Sequence, residues 1–76
     1  MATLQEQFGA LIRRRRTEAG IGQEKLADIA GLHRTHVSLI ERGKRVPGLL
    51  VIKKLAKALN TTMADLMTEL EDADDA

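Results

Sequence analysis

The sequence predicts an all-α fold, a compact domain of five short helices, and three observations lead there. Apolar residues recur every three or four positions from residue 4 to residue 70, the period of an amphipathic helix, and no run alternates as a strand would. Glycines and the single proline cut this pattern into about five segments joined by connections of a few residues. With 76 residues the chain has room for one core and not two.

The first segment covers residues 3–19, where Leu4, Phe8, Leu11, Ile12 and Ala19 form one apolar stripe. Thr3 and Glu6 have the spacing of a capping box, which places the helix start. Gly20 supplies the left-handed geometry that ends it. The run Arg13-Arg14-Arg15-Arg16 is not a single basic patch, because at about 100° per residue it fans around most of the helix. Arg13 and Arg14 point away from the stripe, and Arg16 lies at its edge. Arg15 falls within it, so its methylenes must cover apolar surface while the guanidinium reaches outward.

The second segment, residues 23–30, carries Leu26, Ala27, Ile29 and Ala30 and stops at Gly31. Leu32 then plugs the core. The third segment follows, residues 33–42, with Val37 and Ile40 as its inward pair and Gly43 as its end. Two short helices separated by a glycine-containing turn have the layout of a helix-turn-helix unit, here about residues 23–42. Residues 44–48 read as a loop. The fourth segment, residues 49–59, is apolar on more than one face, which marks a helix that is either central or part of an interface. The fifth begins near Thr62, whose hydroxyl can cap it, and Met63, Leu66, Met67 and Leu70 line one side. Residues 71–76 are expected as a frayed, acidic, solvated tail beyond a domain of residues 1–70.

Composition narrows the function. There is no cysteine, hence neither a disulfide framework nor a thiolate zinc site, and a cytoplasmic location is expected. The longest apolar run, residues 49–52, is far too short to span a bilayer. The net charge of +1 hides a segregation: residues 1–60 hold all 12 lysines and arginines but only five acids, and residues 61–76 hold the other six. A basic body points to a polyanion. Phe8 is the one aromatic residue, so base-stacking platforms for single strands are missing and duplex DNA is the better candidate.

His33 and His36, the only two histidines, are three residues apart, as a metal pair on a helix could be. A structural zinc needs four converging ligands, Glu41 falls on another face, and His33 sits at a helix boundary; no metal and no cofactor is expected. Ser38 and His36, two residues apart, point to different sides of a helix, so nucleophilic catalysis is not expected either.

The run Gly20-Ile21-Gly22-Gln23-Glu24-Lys25-Leu26-Ala27, then Ala30-Gly31-Leu32, then Arg34 to Arg45 followed by Pro47, resembles lambda-repressor-like helix-turn-helix regulators. With residues 55–59 and 65–66 the resemblance extends over about residues 4–70. The small size and the run from Leu32 to Arg45 are similar to controller proteins of restriction–modification systems. Relatives usually carry Ser or Thr where this chain has Gly22, His33 and Gly48, at the caps of the second, third and fourth helices.

The resemblance implies a homodimeric regulator of transcription whose third helix enters the major groove of a two-fold-related operator. It implies base contacts by Arg34, Thr35 and Ser38, and backbone contacts by Gln23, His36, Arg42, Lys44 and Arg45. It also implies an ion pair, Arg16 with Glu41, bridging the first and third helices. The chemistry agrees: Arg34 can donate two parallel bonds to guanine, and Thr35 has a methyl suited to thymine. Leu49, Leu50, Met63, Leu66 and Met67 are the expected dimer interface. The alternative is the same fold serving as a protein–protein module, or as an antitoxin subunit that binds a toxin through its acidic end.

Overall fold

The computed structural model describes residues 2–75, which fold into five helices: α1 (Leu4–Glu18), α2 (Gln23–Ala30), α3 (Arg34–Glu41), α4 (Leu49–Ala58) and α5 (Met63–Asp75). The capping box at the start of α1 is closed in both directions. Glu6 N–H donates to Thr3 Oγ1 at 3.1 Å, and Thr3 N–H donates to Glu6 Oε1 at 2.8 Å. Hydrogen bonding from Thr3 to the Glu6 carboxyl, first from its backbone N–H and then from its side chain, holds that carboxyl below its ordinary range. At the start of α5, Thr62 Oγ1 accepts from Asp65 N–H at 3.1 Å.

The turn between α2 and α3 depends on Gly31, whose φ of +70° is strained for any residue with a Cβ. Reversing there lets Leu32 N–H bond Ala27 O at 2.8 Å, which satisfies a carbonyl that the helix end would otherwise orphan. α4 ends with a left-handed residue that is not glycine, Asn60 at φ +56°; asparagine tolerates that region better than most side chains.

The core is one cluster drawn from every helix: Phe8, Leu11 and Ile12; Leu26, Ala27 and Ala30; Val37 and Ile40; Leu55 and Ala56; and Leu66. α1 packs on both α3 and α5, while α2 packs on α3 and α4. The approach of α1 to the end of α3 is very close, because it occurs at Gly9. A Cβ on Gly9 would lie 2.3 Å from the Ile40 carbonyl oxygen and 2.5 Å from that of Glu41.

Three expectations need correcting. Leu66 is fully buried, so it cannot lie on a dimer surface; the row on α5 is rotated so that Leu66 enters the core while Met63, Met67 and Leu70 remain half-buried. The stripe on α1 is shorter than its periodicity suggests, since Leu4 and Ala19 overhang the core at the two ends and stay exposed. Finally, α5 does not stop at residue 70 but continues through Asp75. Glu69 supplies a physical reason, because Arg14 and Arg15 of α1 both bond its carboxylate and tie the second half of α5 to the body. Arg15 thus sends its guanidinium to an acid on the neighbouring helix.

Candidate nucleic-acid interface

α3 has two faces. Val37 and Ile40 point into the core, and Glu41 joins them in burial; Arg34, Thr35 and Arg42 are exposed, and Ser38 is half-buried. The helix starts at His33, whose imidazole Nδ1 accepts from Thr35 N–H at 3.3 Å. Histidine thereby does what serine or threonine does at other N-caps. Arg34 and Thr35 occupy the first turn, the part of a recognition helix that reaches base edges.

Arg34, Thr35, Ser38 and Gln23 line one polar cleft of about 230 Å³ between the start of α2 and the outer face of α3. The cleft therefore unites the three residues expected to read bases with one expected at the backbone. The other expected backbone residues lie outside its lining. Arg42 caps the end of α3, where its Nε donates to Ser38 O at 3.4 Å, and Lys44 and Arg45 are exposed in the following loop. His36 is half-buried, and burial, with the nearby charge of Arg45, pushes its imidazole below the ordinary 6.5.

Beneath the cleft lies a charged node. Glu41, whose side chain is only 2% exposed, accepts from Arg16 Nε at 2.7 Å and from a terminal guanidinium nitrogen at 3.0 Å. Arg16 also donates to Ile21 O at 3.0 Å, stitching down the segment between α1 and α2. Glu41 holds the guanidinium above its ordinary value, against a burial that opposes charge. A third donor reaches the same carboxylate: Gln23 Nε2, at 3.0 Å from Glu41 Oε1. One acid thus joins α1, α2 and α3. The Arg16–Glu41 pair follows the family resemblance, but the link to Gln23 has no signal in the sequence.

α2 ending in a tight turn before an α3 that shows a basic, hydrogen-bonding face is the architecture of a DNA-reading regulator. The chain belongs to the helix-turn-helix family, whose pattern matches residues 12–66. It is 44% identical over 57 residues to the control protein C.SmaI of Serratia marcescens, covering 75% of this chain and 68% of that one. To the control protein C.BamHI of Bacillus amyloliquefaciens it is 44% identical over 61 residues, 79% of this chain and 75% of the relative. The crystal structure of the restriction–modification controller protein C.AhdI from Aeromonas hydrophila matches with a TM-score of 0.80 at 42% identity, over 82% of this chain and 94% of that one.

Proposed function

We propose that this chain is a sequence-specific, duplex-DNA-binding regulator of transcription that acts as a homodimer on a two-fold-related operator. The observation that carries the reading is the polar cleft that unites Arg34, Thr35 and Ser38 on the outer face of α3. Lys44 and Arg45 stand exposed just beyond that helix. Its similarity to restriction–modification controllers supports a controller role of the same kind, in the cytoplasm. Phosphate contacts by Lys44, Arg45, Arg42 and Gln23 supply affinity, and Arg34, Thr35 and Ser38 supply readout.

The dimer reading rests on apolar surface. Leu49 and Leu50 at the start of α4 are 77% and 66% exposed. Near them, Val46, Pro47, Ile52, Met67 and Leu70 line an open groove of about 420 Å³. A second copy covering this face would remove that surface from water and set two α3 helices about 34 Å apart, one turn of duplex. Leu50→Lys is accordingly expected to convert a dimer to a monomer, read by sedimentation equilibrium. A dimer of unchanged stability would move the interface elsewhere.

Selection of bound sites from a random duplex pool tests the main reading. Enrichment of two-fold-related half-sites is expected, and no enrichment would favour a protein–protein role. Lys44→Ala is expected to weaken binding to every sequence alike and to make the slope of log K against log salt shallower by about 1. An unchanged slope would remove Lys44 from the phosphate contacts.

His36 adds a pH dependence whose sign follows from its shift. Free of DNA its pKa lies below 6.5, and a nearby phosphate would raise it in the complex. The added affinity is therefore complete below the free-state pKa and is lost as pH rises through the complex pKa. Binding should strengthen as pH falls from 7 to 5.5, and His36→Gln should abolish that trend. A flat profile in the parent protein would place His36 away from phosphate.

A further inference from the structure

We infer that Glu6 is a fixed negative charge at the edge of the DNA-binding surface, opposing the phosphate drawn in by Lys44 and so limiting affinity for duplex of any sequence. The inference rests on the phosphate-contact role proposed above for Lys44.

Two local motifs bring these groups together. The chain leaves α3 through Gly43 at φ +70°, with Gly43 N–H bonded to Ile40 O at 3.0 Å and Lys44 N–H to Leu39 O at 2.9 Å. That pair of bonds is a Schellman turn, and it fixes where the Lys44 side chain leaves the backbone. On the other side the capping box of α1 fixes Glu6, whose Oε1 accepts from Thr3 N–H at 2.8 Å. The two motifs touch. A Cβ on Gly43 would lie 2.5 Å from Glu6 Cγ and 2.8 Å from Glu6 Cα, so the turn passes directly against the Glu6 side chain. Lys44 is the next residue, and its charge reaches Glu6. After the hydrogen bonds from the Thr3 backbone and side chain, it helps to hold the Glu6 carboxyl low.

The cap itself does not require a charge. A capping box closes with glutamine as it does with glutamate at this position. The negative charge matters for what arrives from outside. Lys44 is exposed, and its ammonium meets a phosphate as a point charge on a flexible stem. A phosphate held there comes up against the Glu6 carboxylate, and repulsion between the two anions offsets part of the attraction. With Oε1 tied to Thr3, the carboxylate cannot swing away as DNA approaches. Attraction through space does not aim a lysine whose three donors rotate freely, so Glu6 supplies opposition without orientation. The effect falls on the backbone, which carries no base information, and operator and unrelated duplex feel it alike.

Glu6→Gln isolates the charge, because it keeps the acceptor for Thr3 N–H. At about 0.1 M salt it is expected to tighten binding to operator and to unrelated duplex by about two- to fivefold each, the size of an exposed charge–charge interaction. Preference among operator variants should not change. The gain should fade as salt rises, which makes the slope of log K against log salt steeper. In a Lys44→Ala background the gain should shrink, since the phosphate is no longer drawn to this corner. Circular dichroism and thermal unfolding establish that the cap survives, and binding is compared at a temperature where both proteins are folded.

Unchanged or weaker binding by folded Glu6→Gln, alongside a loss in Lys44→Ala, would overturn the inference. A gain confined to the operator would make Glu6 act on base readout and overturn it equally. So would a gain of full size in the Lys44→Ala background, which would assign the charge to a different contact. If Lys44→Ala left both affinity and salt slope untouched, the phosphate role of Lys44 would fail first, and the inference with it.

Discussion

Gly9→Ala is expected to lower stability by about 3 kcal/mol, the upper part of the usual range for overpacking, and to drop the Tm by more than about 10 °C in a domain of this size. The direction is opposite to the usual one, since exchanging glycine for alanine inside a helix ordinarily gains roughly 0.5–1 kcal/mol. The added Cβ would meet two carbonyl oxygens of α3, at 2.3 and 2.5 Å, where ordinary contacts begin near 3.4 Å. Those oxygens belong to backbone held in a helix, so they cannot rotate aside as a side chain could. α1 and α3 must separate, which loosens Phe8 and Ile12 from Val37 and Ile40. Urea and thermal unfolding would measure the effect at fixed protein concentration, because a dimer makes Tm concentration-dependent. Stability equal to or above that of the parent would mean that α1 can shift on α3 without cost.

Arg34→Ala is expected to erase the preference for one base pair per half-site, a loss of about 1–3 kcal/mol or roughly tenfold to hundredfold in discrimination. Binding to unrelated duplex should change far less, since non-specific affinity is carried by many phosphate contacts. The fold should be indifferent, because Arg34 is exposed and sits outside the core cluster. Titration of operator variants against unrelated duplex, at one salt concentration, separates the two effects. A loss spread evenly over all sequences would turn Arg34 into a phosphate contact and pass the readout to Thr35 and Ser38.

Much of the architecture is legible because it is local. The Thr3–Glu6 box, the glycine turn before α3 and the inward pair Val37 and Ile40 all depend on residues within a few positions of one another. The same logic puts Arg34 and Thr35 on the outer face. What escapes it depends on partners far along the chain. Nothing near Glu69 announces that arginines some 55 positions earlier will bind it, and therefore nothing predicts that α5 runs on to Asp75. Leu66 failed for a related reason: periodicity finds an apolar row but not which member faces the core. Gly9 did leave a trace, a glycine inside an otherwise regular helical pattern, which often marks a close approach of backbones.

The cap on α3 also decides a tautomer. An imidazole that accepts a hydrogen bond at Nδ1 carries its proton on Nε2 when neutral. His33 consequently shows an N–H to the outside, beside Arg34 and at the start of α3. Its two nitrogens are already divided between an inward lone pair and an outward proton. For His33 to ligate a metal through Nδ1, α3 would have to give up its cap. The pair of histidines that looks like a chelate in one dimension is, in three, a helix start and a flank.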